Sequence, residues 1–208
     1  MTTREQLLDE KKIFWTRFAF KEVLPKIKEI TNQSNFGFHG LTHTEQVVLF
    51  GIDYALSEKV NPLPVILACA LHDCARTNDA YDEMHGPNCL PIIKEFLKKH
   101  QFNLSQEEKE KIQKAVVLHT TGREAQDAVS ACLWDADRTR LSWLWGYQES
   151  CFSTKRAKEV ASLPSNGIKK YQEAQFLLLQ KAQVPSFMLE EKKQKEGQFS
   201  FIRTFLER

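Results

Sequence analysis

Residues 70–79 read ALHDCARTND, and they set His72 beside Asp73 at the end of the apolar run VILACAL, 65–71. Imidazole and carboxylate both lose hydration on burial, so a helix that carries them inward needs a partner there to receive them. Further histidines stand at 39, 43, 85, 100 and 119. A His-Asp pair with histidines before and after it points to a metal ion.

Outward from this stretch the periodicity is helical almost throughout, with few strand signals. The pattern predicts helices over 3–30, interrupted near Pro25, and over 41–58. A third starts at NPLP (61–64), where proline suits the first turn, and ends close to Asp73. ARTNDAYDEMHGPN (75–88) reads as an irregular connection, followed by a helix over 87–100. SQEE (105–108) is a capping box for a helix reaching His119, and another helix covers 125–141. From STKRAKEV (153–160) onward two or three peripheral helices are expected, divided at PSNG (164–167). Nothing repeats and no linker stands out, so the expectation is one all-α domain over 1–208.

Helical offsets then test where the polar residues point. His72 follows Val65, Ala68 and Cys69 on an apolar stripe, and His119 follows Ile112, Ala115 and Val116. His43 leads Val47 and Phe50, while Asp137 lies with Val129, Leu133 and Leu141. A lone histidine on such a stripe is ordinarily a core residue bonded to a backbone carbonyl. Several inward polar residues on separate helices call for a shared cation. Asp135 competes with Asp137, but two positions turn a helix by roughly 200°, so both cannot reach one ion. The stripe favours Asp137 and leaves Asp135 a supporting hydrogen bond or salt bridge.

The chain has 42% hydrophobic and 27% charged residues, a composition of globular proteins. With 29 basic against 27 acidic residues, it is not built to bind a nucleic-acid polymer. MTTREQLLDEKKIFWTRF opens without a signal peptide's apolar core, and no stretch approaches the ~20 apolar residues of a membrane span. Five cysteines without CxxC spacing fit reduced thiols, so a cytoplasmic protein is expected.

The order His43, His72-Asp73, Asp137 in DADR (135–138) resembles the HD-domain superfamily of metal-dependent phosphohydrolases. HGLTH (39–43) is similar to the family's HGxxH opening, whose second histidine is the ligand. LHDCARTNDAYDEMHG (71–86) and LWDADRTRL (133–141) are similar to segments of a bacterial branch. The resemblance covers 39–141 and implies a helical bundle there, with 142–208 as a helical extension packed on it. It implies His43, His72, Asp73 and Asp137 as metal ligands. His85 and His119 would hold a second ion, with Asp73 bridging, or would position substrate or water. Mn, Fe, Mg, Co, Ni or Zn are the candidate ions, one or two of them.

There are departures. Gln46 replaces the arginine of the family's HxxRV pattern, and Arg76 stands in HDCAR where the HD-GYP group has lysine earlier. No GYP follows His119, which disfavours cyclic dinucleotides. The implied reaction is attack of a metal-activated water on a small phosphate ester, a nucleotide-like phosphomonoester or phosphodiester. Asp73 would orient that water or bridge two ions. Arg76 would grip the phosphate bidentately, with Arg123 and Arg138 as further substrate contacts or surface salt bridges. Asn78 and Asp79 suit either turn chemistry or the orienting of a ligand histidine. A di-iron oxygenase uses the same ligand order, and a non-catalytic metal- or nucleotide-binding module is the third reading. His39 reads as a cap-region residue, His100 as a charge at a helix C-terminus, and WLW (143–145) as helix packing against the tail.

Overall fold

The computed structural model describes residues 3–31, 38–122 and 124–194, and the regular elements among them are all helical. Helix α1 (Arg4–Phe18) opens on a capping box in which Thr3 and Gln6 satisfy each other's backbone N–H. A π-helical turn, Ala19–Val23, then leads into α2 (Leu24–Lys28). The interruption expected at Pro25 thus occupies the turn before it. Proline offers no N–H to the carbonyl four residues back, and the preceding backbone widens to compensate.

Helices α3 (Leu41–Ser57), α4 (Pro62–Leu71), α5 (His85–His100), α6 (Gln106–Val117) and α7 (Ala128–Trp145) form the bundle. Asn61 caps α4 through the Leu63 N–H, with Pro62 and Pro64 in the first turn, where an N–H is not needed. The Ser105–Glu108 capping box opens α6. Helix α7 differs from its expected span. Asp127 accepts from the N–H and hydroxyl of Ser130, so the helix begins at Ala128 rather than 125 and continues to Trp145. Helix α5 starts at His85 instead of 87, since Pro87 is tolerated within a first turn.

Helices α3, α4, α6 and α7 pack on one another around the residues the stripes singled out. Val47, Phe50, Val65, Ala68, Cys69, Ile112, Ala115, Val116 and Leu133 are fully buried. Gly51 sets how closely α3 and α4 approach, because a Cβ there would stand 2.5 Å from the Cys69 sulfur. The Trp134 indole of α7 donates to the Ala115 carbonyl of α6 at 2.8 Å. The cysteines at 69, 74, 89, 132 and 151 are all free thiols, Cys151 alone being exposed.

Helices α8 (Lys155–Ala161) and α9 (Ser165–Ala182) follow, and α9 packs along α1. Trp143 stands edge-on to Phe50 and Tyr171 and donates to the Val160 carbonyl, so it joins α3, α8 and α9. Glu45 on α3 accepts from the Ser186 hydroxyl and the N–H groups of Phe187 and Met188, which anchors the helical segment 187–194. Asp53, buried on α3, binds Lys12 of α1 at 2.5 Å, Arg156 of α8 at 2.8 Å and the Tyr171 hydroxyl of α9 at 3.1 Å. One carboxylate therefore fastens four helices.

Burial pushes the Asp53 carboxyl up, but Lys12 and Arg156 outweigh it and hold the group below its ordinary 3.8. A carboxyl lowered on folding adds stability that is complete above the unfolded value and is lost as pH falls through the folded one. Asp53→Asn should cost about 2–3 kcal/mol at pH 7, because it leaves two cations without their partner. It should also flatten the loss of stability below pH ~4. Urea denaturation of both proteins at pH 7 and pH 3 tests this; identical midpoints at pH 7 would contradict it.

Candidate metal centre

His72 is the first residue past α4, still with helical dihedrals, and Asp73 follows in a tight turn closed by Cys74 N–H to the Leu71 carbonyl. Around them converge the start of α3 (His43), the start of α5 (His85), the turn after α6 (His119) and the middle of α7 (Asp137). Three sets of side chains bring their ligand atoms within 4.8 Å of one another and could each hold a metal ion. They are His39, His43, Asp73; His43, His72, Asp137; and Asp73, His85, His119.

Asp73 divides the cluster. Its Oδ2 lies 3.3 Å from His72 Nε2, 3.9 Å from His43 Nε2 and 3.2 Å from His39 Nδ1. Its Oδ1 lies 3.1 Å from His85 Nε2, 3.7 Å from His119 Nε2 and 3.0 Å from Arg76 Nε. Asp137 Oδ1 stands 3.3 Å from His43 Nε2 and 4.0 Å from His72 Nε2. The carboxylate at 73 thus offers one oxygen to each of two histidine sets.

The histidines' outer nitrogens show what the inner ones present. His72 Nδ1 donates to the Cys69 carbonyl at 2.7 Å, His119 Nδ1 to the Val116 carbonyl at 2.6 Å, and His85 Nδ1 to the Asp82 carbonyl. In each the carbonyl belongs to the residue three back. With Nδ1 carrying the hydrogen, Nε2 of a neutral ring presents a lone pair. Two such nitrogens, on His85 and His119, face each other at 2.8 Å, and that of His72 lies 3.2 Å from His43 Nε2. Facing lone pairs beside buried carboxylates repel unless a cation or a proton sits among them. The donor set fits a divalent ion of the Mn, Fe, Co, Ni or Zn kind.

Burial lowers His43 below its ordinary 6.5. Burial also pulls His72 down, but the Asp73 carboxylate outweighs it and lifts the ring to about 9. Asp73 and Asp137 are held below the usual 3.8 against their burial, by His72 and by His43 respectively.

The remaining candidate residues divide. Arg76, where a bidentate grip on phosphate was expected, is buried with Nε on Asp73 and Nη1 on the Ala80 carbonyl, so it clamps the Asp73 carboxylate. Arg138 donates to the Cys151 and Gly122 carbonyls, which ties loops together. Arg123 lies outside the described residues. Asp135 is more deeply buried than Asp137, because the chain folds back over it and the N–H groups of Ser153 and Thr154 bind it at 2.6–3.1 Å. It faces away from the cluster and anchors the approach to α8. Asn78 makes the turn through the Ala80 N–H. Asp79 accepts from the N–H groups of Phe38 and His39 at 3.2 and 2.9 Å, which holds His39 against Asp73. His39 is therefore a site residue that its reading as a cap missed. The usable signal was its His-Gly pairing, shared with His85-Gly86. His100 packs on Phe96, and burial together with Lys99 lowers it below 6.5, so it is not the charged helix end expected.

Gly86 has a steric reason. A Cβ there would meet the Val117 and Val116 carbonyl oxygens at 2.9 and 3.0 Å and His119 Nδ1 at 3.2 Å. Only glycine lets the start of α5 close on the end of α6 and bring His85 to His119.

A solved structure described as a predicted HD superfamily hydrolase, from an uncultured Thermotogales bacterium, superposes with a TM-score of 0.56 at 23% identity. The match covers 76% of this chain and 90% of that one. The chain therefore has the HD-superfamily fold. No protein-family model matches its sequence, and no curated protein matches it.

Two outcomes follow from this geometry. Uptake of Mn at pH 7 should release protons, and affinity should rise with pH until about 9, because a ring raised to that value must give up its proton to bind. Calorimetric titration in buffers of different ionisation enthalpy reads the proton count; proton-neutral uptake would contradict the assignment. Gly86→Ala should cost about 1–3 kcal/mol by overpacking and should keep His85 and His119 from holding an ion together. His72→Ala and Asp73→Ala should strip metal more completely, and His100→Ala should not change it. Elemental analysis of the four variants decides; full metal content in both His72→Ala and Asp73→Ala would refute the centre.

Proposed function

We propose that this protein is a metal-dependent phosphohydrolase that cleaves a small phosphate ester, a nucleotide-like phosphomonoester or phosphodiester. The observation that carries the reading is the division of Asp73, with Oδ2 on the His43–His72 side and Oδ1 on the His85–His119 side. A divalent ion bound there supplies Lewis acidity toward a phosphoryl oxygen and a water made acidic enough to react near neutral pH. His43, His72, Asp73 and Asp137 would hold one ion, and Asp73, His85 and His119 a second.

The chain's own contribution is positional. Carbonyls three residues back fix His72, His85 and His119 with Nε2 inward. Arg76 fixes the plane of Asp73 through Oδ1, and Asp79 keeps His39 on Oδ2. His39 and Asp137 have the most exposed side chains of the set, at 24% and 19%, against 1–4% for His43, His72, Asp73, His85 and His119, so the centre opens between them. Arg76 and Arg140 add positive charge around the cluster, which favours an anionic substrate over the di-iron oxygenase that the same histidines would suit. The hydrolase description of the structural neighbour agrees with this reading.

The experiment is a screen of phosphate esters with protein reconstituted in Mn, Mg, Co, Fe, Ni or Zn. Phosphate release that depends on metal and vanishes in Asp73→Ala is expected. Oxygen uptake with a mixed-valent iron signal, and no phosphate release, would replace the proposal with the oxygenase. In the same assay Arg76→Ala should raise the metal concentration for half-maximal rate about tenfold or more, since a charge-assisted bond to Asp73 is lost. A higher KM at an unchanged metal requirement would return Arg76 to the substrate.

A further inference from the structure

A cleft of about 390 Å³ lies between α3, α7 and α9, lined by Gln46, Arg140, Trp143, Ser165, Ile168 and Gln172 among others. Gln46 is three residues past His43, and Arg140 three past Asp137. Each is one turn beyond a ligand on the same helix face, about 5 Å along the axis. Arg140 makes a single hydrogen bond to a described residue, Nη1 to the Phe38 carbonyl at 3.1 Å, and no ion pair among them. The nearest acids are Asp137 and Glu191. Gln46 lines the cleft wall, and no described residue hydrogen-bonds its side-chain amide. Both features ask for a ligand with polar atoms and negative charge.

We propose that Arg140 sets specificity by receiving a second anionic group of the substrate, whose hydroxyl-bearing body lies in this cleft against Gln46, Gln172 and the Trp143 ring. The inference rests on the phosphohydrolase reading. It narrows the substrate to a phosphate ester with another phosphate or carboxylate about one helical turn from the reacting group. A planar guanidinium with donors to spare suits such an oxyanion. The amide of Gln46 and the polar edge of Gln172 suit hydroxyls or a base edge rather than an acyl chain.

The test compares AMP with adenosine 3′,5′-bisphosphate on Mn-loaded protein by calorimetric titration, which reads binding and does not need turnover. Native protein should prefer the bisphosphate by about tenfold, as expected for one charge-assisted contact. In Arg140→Gln that ratio should fall to near unity, while Arg140→Lys should keep part of it and both should retain native metal content. A ratio unchanged in Arg140→Gln would overturn the inference, as would native protein that binds both probes alike or neither. Phosphate release from other esters in the screen would in that event leave the phosphohydrolase reading standing.

Discussion

A carboxylate buried to 1% exposure between histidine sets is the constraint from which the rest of the bundle takes its arrangement. Asp73 is lowered despite burial because the described residues that meet it are donors or potential cations, His72 above all, with His39, His43, His85, His119 and Arg76. Removing that carboxylate from water is costly unless such partners are in place. The partners come from α3, α4, α5, α6 and the segment before α3, so those elements must end where they do. Proline at the start of α4, glycine at 86 and the Ser105 cap on α6 serve that requirement from outside the cluster.

Polar groups elsewhere divide along the same logic. Asp53 and Asp135 are buried carboxylates too, but their needs are met by the chain itself. Asp53 has two cations and a tyrosine hydroxyl, and Asp135 has backbone N–H groups. Neither leaves facing lone pairs behind. The centre around Asp73 does, since His85 and His119, each with Nδ1 on a carbonyl, turn their Nε2 atoms toward each other. That difference separates a structural carboxylate from one set to share a cation.

Helix type and the inward direction of His43, His72, His119 and Asp137 were legible because residues three, four and seven apart share a face, and their stripe neighbours, Leu141 excepted, are buried. His39 was not legible from periodicity, only from its pairing with Gly40. It precedes its helix, where periodicity carries no information, and its anchor Asp79 lies 40 residues away. Asp135 was rotated correctly off the metal-facing stripe, but that other face is covered by the return of 153–154, which no local pattern announces. Arg76 and Arg138 show the limit for long side chains. Position on a helix fixes where the stem starts, while the guanidinium goes to whichever acceptor the tertiary fold supplies, here Asp73 in one and two loop carbonyls in the other.

The central claim is that Asp73 stands between two cation sites. Crystals soaked in Mn or Zn, with anomalous difference maps collected at the metal edge, test it most directly. The account predicts density on both sides of Asp73, one peak about 2.0–2.2 Å from the Nε2 atoms of His43 and His72 and another beside those of His85 and His119. Maps with no peak within reach of Asp73, in crystals that take up metal elsewhere, would contradict it.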